Sequence, residues 1–139
     1  MNREILFRAK CSGNWRYGSY VHFDKKPTHN CCNCNYKDFI VTNEEDGEHY
    51  YPITEISSVG QYTGLKDKNG NKIFEGDILD YTVFDVFGEE HQCKGVVKWA
   101  DDCFICDNSD GVNGFAWVVK QSIELDVIGN VTDNPELIK

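Results

Sequence analysis

The stretch from Val59 to Tyr81, VGQYTGLKDKNGNKIFEGDILDY, constrains the fold most strongly because it contains four glycines and an Asn-Gly pair. Asn69-Gly70 tolerates positive φ at both central positions of a type I′ turn, which joins two neighbouring antiparallel strands. Gly76 permits a bend, and the Asp77 carboxylate that follows can accept hydrogen bonds from nearby backbone amides. The stretch therefore predicts short strands joined by tight turns.

Alternation of apolar and polar residues extends this strand pattern along the chain. Apolar residues recur at every second position, which is the period of a half-buried strand. The predicted strands are 5–9, 15–23, 38–42, 49–53, 78–87, 93–100, 103–107 and 115–120, with another before Gly129 and with 108–114 as a glycine-bearing link. The helical signal is a terminal turn that Asn134 could cap, starting at Pro135. We predict a mainly β protein, built as a small barrel or roll with at most a short C-terminal helix.

Charge is divided unevenly along the 139 residues, whose net charge is −9. Residues 1–40 hold seven Lys or Arg against three Asp or Glu, a net charge of +4, and residues 41–139 hold seven against twenty, a net charge of −13. The total charge argues against nucleic-acid binding by the molecule as a whole. The opposite signs of the two parts predict protein contacts, including self-association between a basic and an acidic part.

Two catalytic interpretations of the glycine-rich stretch fail on spacing. Its four glycines form neither GxxxxGK[ST] nor GxGxxG, and no helix signal follows to supply an anion-binding N-terminus. They are Gly60, Gly64, Gly70 and Gly76. Asp77 has no His or nucleophile beside it in the sequence, whereas a general acid or base needs a partner within reach. We therefore assign these residues to turns, assign no catalytic residue, and predict that the protein is not an enzyme.

The seven cysteines offer the strongest case for a metal site. A histidine and three cysteines lie in the loop 29–34, where Cys31 and Cys34 have the CxxC spacing that lets two thiolates bind one zinc ion. Cys103 and Cys106 repeat the spacing at a distance too long for a zinc ribbon, in a predicted strand where residues three apart point to opposite faces. We favour unligated thiols and assign no metal ligand and no cofactor. A small zinc-stabilised interaction domain is an alternative.

Basic and aromatic residues interleave in the first forty residues. The basic members are Arg16, Lys25, Lys26 and Lys37, and the aromatic members are Trp15, Tyr17, Tyr20 and Tyr36. Such a mixture can stack bases and neutralise phosphates. Strand aromatics more often pack in a core or against a neighbouring strand. A nucleic-acid-binding module is therefore the alternative to a protein that acts through protein contacts.

The N-terminal sequence MNREILFRAKCSG has charged residues among its apolar ones and lacks the continuous apolar segment of a signal peptide. No apolar run approaches the ~18 residues that a membrane-spanning helix needs. We expect a cytoplasmic protein without membrane contact, whose cysteines are mostly reduced.

Four segments of the chain resemble the YopX family, small proteins encoded by bacteriophages and prophages. They are REILFRAK at Arg3–Lys10, WRYGSYV at Trp15–Val21, VGQYTGLKDKNGNKIFEGDIL at Val59–Leu79 and VIGNVTDNPELI at Val127–Ile138. The segments occur in the family's order and extend from one end of the chain to the other. The Cys-rich loop 29–34 is not part of the pattern, so the resemblance lends zinc no support.

The resemblance implies more about the fold of the protein than about its function. It implies an SH3-like barrel in the C-terminal portion, a smaller β-rich region before it, and a place in the cytoplasm of a bacterial host. It brings no activity, cofactor or catalytic residue that could be carried over. We divide the chain into a basic, aromatic N-terminal β-rich subdomain, residues 1–52, and an acidic SH3-like portion, residues 53–139. The expected function is that of a phage or prophage accessory protein that acts through protein contacts, with a homo-oligomer as one form of them.

Overall fold

The computed structural model describes residues 4–25, 36–108, 111–114 and 124–138, with side chains for all of these except 111–114. Within these ranges the chain forms eleven strands and a short 3-10 helix, Pro135–Ile138. The strands are β1 Phe7–Cys11, β2 Asn14–His22, β3 Asp38–Glu44, β4 Gly47–Pro52, β5 Glu55–Lys66, β6 Lys72–Phe74, β7 Asp77–Phe84, β8 Glu90–Ala100, β9 Cys103–Asn108, β10 Gly111–Gly114 and β11 Asp126–Asn130. They form antiparallel sheets, which confirms the prediction of a mainly β protein.

The N-terminal unit, Met1–Gln61, is an antiparallel sheet with the strand order β4-β3-β2-β1-β5. The β1–β2 hairpin turns at Ser12 and Gly13, which have φ angles of 52° and 84°. Positive φ at both central residues is the requirement of a type I′ turn, whose twist matches that of the strands it joins. This hairpin fixes which residues of β1 and β2 lie opposite each other.

The core of the N-terminal unit lies on one face of this sheet. Its buried members are Ala9, Cys11, Ile40 and Ile53. β2 and β3 approach each other so closely at Gly18 that a Cβ at this position would collide with the carbonyl oxygen of Val41. Alternate residues of a strand point to opposite faces, so the residues between the core positions form a second, separate face.

The C-terminal unit, Tyr62–Lys139, contains a sheet with the strand order β10-β9-β8-β7-β11, and in it β6 pairs with the last part of β5. Its buried core consists of Ile73, Leu79, Tyr81, Val97, Cys106 and Leu125. The buried Tyr81 hydroxyl is 3.6 Å from Cys106 Sγ and accepts a hydrogen bond of 2.9 Å from Asn108 Nδ2. Burial is the main cause that raises the pKa of Tyr81. The strand order does not by itself identify an SH3-like barrel, which stays a prediction.

The two units divide between Gln61 and Tyr62, inside β5. The division between residues 52 and 53, which the sequence and the family resemblance indicate, stays a prediction. Among the described residues, no helix is long and apolar enough to cross a membrane.

The predicted type I′ turn at Asn69-Gly70 is wrong. Gly70 has a φ of 82°, but Asn69 does not have a positive φ. The Gly70 N–H donates to the Asp67 carbonyl oxygen at 3.1 Å, and the Asp67 N–H donates to that of Asn71 at 2.9 Å. The Asp67 carboxylate holds this loop by accepting hydrogen bonds from the amides of Asn69 and Asn71, at 2.9 and 2.8 Å. These bonds outweigh the preference of the Asn-Gly pair. We call residues Asp67–Asn71 the Asp67 turn.

The predicted roles of Gly76 and Asp77 are confirmed. Gly76 has a φ of 92°, which favours glycine. Asp77 is 2% exposed, and its Oδ2 accepts a hydrogen bond of 2.7 Å from the Phe74 amide. The carboxylate fixes the entry into β7, and its burial keeps it out of contact with solvent.

No predicted strand covers β5 or β6, and two further parts of the strand prediction differ from the structure or fall outside it. The predicted link 108–114 contains β10, which pairs with β9 at the end of the sheet order. An edge strand has a neighbour on one side only, so it tolerates the glycines at both of its ends. The predicted strand 115–120 lies outside the described residues, as do Lys26 and the loop 29–34.

Candidate interaction surfaces

Register in the β1–β2 hairpin places four basic and aromatic residues on one face of the N-terminal sheet. Lys10 lies opposite Trp15, and Arg8 lies opposite Tyr17. Paired residues share a face, and so do residues two apart in a strand. We call Arg8, Lys10, Trp15 and Tyr17 the basic aromatic face. It lies on the opposite side of the sheet from Ala9 and the core.

The two cations of the basic aromatic face are held against an aromatic ring. Arg8 Cζ is 4.6 Å and Lys10 Nζ is 5.3 Å from the centroid of Trp15. A cation within about 6 Å of an aromatic ring is attracted by the ring quadrupole. Arg8 is buried, Lys10 and Trp15 are half-buried, and Tyr17 is 48% exposed. Glu55 of β5 lies opposite Lys10, so a carboxylate also lies on this face.

The structure separates the other residues that the sequence grouped with this face. Arg16 points to the core side, where its Cζ is 4.2 Å from the centroid of Tyr51. Tyr20 also packs against the core, and its hydroxyl donates to Asp38 at 2.6 Å. That hydrogen bond is the main cause that raises the pKa of Tyr20 to about 12. Lys25, Tyr36 and Lys37 are exposed outside β2.

Sequence reasoning missed Arg8 and Lys10 as members of the surface. They alternate with apolar residues in β1, and the Ser12-Gly13 turn pairs β1 with β2. Counting back from that turn would have placed each cation opposite an aromatic residue.

The β7–β8 hairpin repeats the hydrogen bonds of the Asp67 turn. Asp85 Oδ1 accepts from the amides of Phe87 and Glu89 at 2.8 and 3.0 Å. The Asp85 N–H donates to the Glu89 carbonyl oxygen at 3.0 Å, and the Gly88 N–H donates to that of Asp85 at 3.1 Å. Gly88 has a φ of 80°, close to the 82° of Gly70. We call residues Asp85–Glu89 the Asp85 turn.

The two turns carry different side chains at the two positions after the aspartate, which we call the middle residues. In the Asp67 turn they are Lys68 and Asn69, both polar. In the Asp85 turn they are Val86 and Phe87, which are 94% and 87% exposed. Phe84, just before the turn, is 45% exposed. We call Phe84, Val86 and Phe87 the apolar tip.

Two hairpin turns contain His–carboxylate groups. At the β3–β4 turn, His49 Nε2 is 2.7 Å from Asp46 Oδ1 and 3.5 Å from Glu44 Oε2. At the β7–β8 turn, His91 Nε2 is 2.8 Å from Asp85 Oδ2. The hydrogen bond that the aspartate carboxylate accepts from the histidine is in each case the main cause that raises the pKa of the histidine.

A comparison with protein-family models finds that the YopX protein family matches residues 6–139, almost the whole chain. The chain belongs to the YopX family. This confirms the resemblance on which the sequence analysis relied. The chain is also similar to protein EF1440 from Enterococcus faecalis, known from its crystal structure, with 24% sequence identity, a TM-score of 0.55, and coverage of 99% of this chain and 100% of that one. At that identity the likeness shows the fold alone. No curated protein matches the chain.

In the described part of this YopX chain, two groups could hold a divalent cation. They are Glu44, Asp46 and His49, and Asp85, Glu89 and His91, and in each the ligand atoms lie within 4.8 Å of one another. Both groups lie at exposed hairpin turns, and hydrogen bonds within the turns account for their geometry. We assign no metal site to them.

The predicted zinc interpretation gains no support from the cysteines that are described. Cys103 is exposed and Cys106 is fully buried, so the two thiols of this pair do not face one point. Burial is the main cause that raises the pKa of Cys106, which disfavours the thiolate that zinc requires. Cys31 and Cys34 lie outside the described residues.

A cavity of about 400 Å³, open to solvent, lies between β8, β9 and the 3-10 helix of the C-terminal unit. Its walls include Lys94, Lys98, Asp107 and Ile138. Lys98 Nζ is 2.6 Å from Asp107 Oδ2, so these two charges neutralise each other. Among the described residues, its walls bring together no pair of groups suited to acid–base or nucleophilic chemistry.

Proposed function

We propose that the protein is a non-enzymatic phage or prophage accessory protein that acts through protein contacts, and that it associates with further copies of itself. The observation that carries this proposal is the basic aromatic face. It presents Lys10, Trp15 and Tyr17 together on the side of the sheet away from the core. Tryptophan and tyrosine side chains are enriched in the contact surfaces of proteins.

Charge supports association between copies. The C-terminal unit holds seven Lys or Arg against fifteen Asp or Glu, a net charge of −8, and the N-terminal unit holds seven against eight, a net charge of −1. Complementary charge between a basic surface and an acidic one speeds encounter and selects orientation. The acidic unit of one copy is therefore repelled less by the N-terminal unit of another copy than by a second acidic unit.

The absence of catalysis is part of the proposal. Asp77, the carboxylate weighed as a general acid or base, is buried and bonded to the backbone. The half-buried His49 and the exposed His91 pair with carboxylates at hairpin turns. Within the described residues, these groups stabilise the two hairpin turns and the entry into β7.

Light scattering across a salt series tests the proposal. We expect the average mass to rise with protein concentration at low salt, and to fall when salt at about 0.5 M screens the charges. A monomer at every concentration in low salt contradicts self-association.

The alternative is a nucleic-acid-binding module that uses the same face. The observation in its favour is that Lys10, Trp15 and Tyr17 are neighbours, since ring stacking and phosphate neutralisation operate together in single-strand binding. Fluorescence anisotropy with single- and double-stranded probes at low salt tests it, because phosphate contacts are strongest there. We then expect binding that Lys10→Glu weakens, and an unchanged anisotropy with both probes rules the alternative out.

A further inference from the structure

The Asp67 turn contains Asn69-Gly70, one of two Asn-Gly pairs in the chain. Such a pair is prone to spontaneous deamidation, because glycine has no side chain to shield its backbone nitrogen. In that reaction the Gly70 nitrogen bonds to the side-chain carbonyl carbon of Asn69 and releases its proton to water, while Nδ2 takes up a proton and leaves as ammonia. Water then opens the cyclic succinimide to aspartate or isoaspartate. Asn69 and Gly70 are both exposed, so water reaches the pair.

Hydrogen bonds hold each reacting group of this pair on a separate partner. The Gly70 N–H donates to the Asp67 carbonyl oxygen at 3.1 Å, and Asn69 Nδ2 donates to Asp126 Oδ1 at 3.0 Å. The Asn69 N–H donates to Asp67 Oδ1 at 2.9 Å, which restrains the backbone at Asn69 itself. Ring closure requires the Gly70 nitrogen to reach Cγ of Asn69, so the folded turn has to open before the reaction proceeds.

The Asp67 carboxylate controls how often this turn opens. It accepts hydrogen bonds from the amides of Asn69 and Asn71 and, outside the turn, from the Val127 amide at 3.2 Å. Asp67 is buried, so water competes weakly for these bonds. A reaction that proceeds only from an opened state has a rate proportional to the population of that state. Asp67 therefore slows the conversion of Asn69.

We propose that Asn69 is a deamidation site, that the folded Asp67 turn slows its conversion, and that conversion loosens the attachment of the turn to β11. This inference goes beyond the proposed function and does not depend on it. Of the two matching turns it concerns the Asp67 turn alone, because the Asp85 turn has Phe87 at the position of Asn69.

Deamidation changes the link between the turn and β11 in two ways. A carboxylate at position 69 cannot donate, so the hydrogen bond to the half-buried Asp126 is lost and an acceptor takes the place of the donor. In isoaspartate the main chain also runs through Cβ, which lengthens the turn. Two other hydrogen bonds join the turn to this part of the chain, from the Lys68 N–H to the Leu125 carbonyl oxygen and from the Val127 N–H to Asp67 Oδ2. After deamidation these two bonds open more often.

Peptide mapping by mass spectrometry tests the site. The full chain is incubated at mildly alkaline pH, either folded in buffer or unfolded in urea, and conversion of Asn69 is followed over time. We expect conversion to be at least about tenfold slower in the folded protein, because it waits for local opening. Equal rates in the folded and the unfolded chain, or no conversion in the unfolded chain, would overturn the proposal.

The variants Asp67→Ala and Asp126→Ala test control by the turn. Each removes an acceptor that holds Asn69, and each should accelerate its conversion, with Asp67→Ala faster than the wild type by at least about tenfold. Asn113-Gly114 is the internal control, because it lies in β10, which pairs with β9. Its rate should not change. Equal acceleration at both Asn-Gly pairs would show that conversion follows global unfolding, and an unchanged rate at Asn69 in the folded variants would show that the turn gives no protection.

Hydrogen exchange followed by NMR tests the loosening of β11. Asn69→Asp reproduces one product of the reaction and should accelerate exchange at the amides of Lys68 and Val127 by about tenfold. Asn14→Asp is the matched control, since Asn14 is an exposed asparagine of the N-terminal unit, and it adds the same charge away from the turn. Exchange at these two amides that is the same in Asn69→Asp and in the control would refute the loosening.

Discussion

The Asp67 turn and the Asp85 turn form the same backbone hydrogen bonds but lie in different surroundings. In the Asp67 turn, the carboxylate also accepts from the Val127 amide at 3.2 Å, and Asn69 Nδ2 donates to Asp126 at 3.0 Å. Among the described residues, the hydrogen bonds of the Asp85 turn stay inside its own hairpin. The aspartate and the glycine thus determine the turn, and its contacts decide which middle residues it can carry. A turn bonded to β11 carries polar residues, and a turn open to solvent carries an apolar pair.

Replacing Asp67 should give the largest effect on stability. Asp67→Ala leaves the amides of Asn69, Asn71 and Val127 without their acceptor, and Asp67 is only 7% exposed. Loss of a buried acceptor of this kind lowers the free energy of unfolding by about 2–3 kcal/mol. Urea unfolding followed by circular dichroism measures the loss. A change within error of the wild type would show that β11 does not depend on the turn.

Alanine at the two turn glycines should give an intermediate and equal effect. Gly70 and Gly88 have φ angles of 82° and 80°, and a Cβ at either would meet no atom within 4 Å. Only the left-handed backbone opposes Gly70→Ala and Gly88→Ala, at about 1 kcal/mol each. Urea unfolding of the two variants in parallel tests whether the turns share one backbone. If the two variants differed in free energy of unfolding by more than about 1 kcal/mol, the two turns would not share one backbone conformation.

Asp85→Ala should change global unfolding less than Asp67→Ala does. Its carboxylate is at an exposed turn, where water can replace it as the acceptor for the amides of Phe87 and Glu89. We expect hydrogen exchange at these two amides to accelerate about tenfold, because protection here depends on local opening. Exchange followed by NMR measures this, with the amides of Asn69 and Asn71 as the internal control. Unchanged exchange at Phe87 and Glu89 would mean that the carboxylate does not hold the turn.

A change of pH should give the smallest effect, and near neutral pH it should act on the Asp85 turn and not on the Asp67 turn. The hydrogen bond that Asp85 accepts from His91 raises the pKa of His91 above its ordinary value of 6.5. The ion pair therefore contributes fully below pH 6.5 and is lost as the pH rises through the raised pKa. Burial alone would raise the pKa of Asp67, but amide hydrogen bonds led by that of Asn71 outweigh it and lower the pKa below 3.8. The contribution of Asp67 is therefore present above pH 3.8 and is lost only as the pH falls through that lowered pKa.

NMR chemical shifts between pH 6 and pH 9 check this expectation. The amide signals of Phe87 and Glu89 should titrate together with the His91 ring, and those of Asn69 and Asn71 should not. His91→Gln is the control that should abolish the titration at the Asp85 turn. Parallel titration of both turns would show that a group other than His91 is responsible.

The strand pattern and most turns could be predicted from the sequence because they depend on neighbouring residues. Alternation located β1 to β4, and Gly76-Asp77 correctly marked the entry into β7. The turn at Asn69-Gly70 was assigned the wrong type because the dipeptide was read without Asp67, two residues earlier. The segments DKNGN and DVFGE share an aspartate and, three residues later, a glycine, and this signal could have identified both turns.

The net charge of the N-terminal unit could not be deduced from the charge of residues 1–40. Residues 1–40 are basic, but Glu44, Asp46 and their acidic neighbours belong to the same N-terminal unit, whose net charge is −1. The grouping of Arg8 and Lys10 with Trp15 and Tyr17 is a property of one sheet face. A face depends on strand register, which the order of residues alone does not report.

The sequence by itself determined the family, the mainly β class and the sites of chain reversal, since these follow from local backbone preference and from motif order. Tertiary structure alone decided that Lys10 joins Trp15 while Arg16 turns to Tyr51, and that one of two matching turns meets β11 while the other stands in solvent. The physical reason is that surfaces arise from register and packing between strands distant in sequence, and each shift of register by one residue moves a side chain to the opposite face.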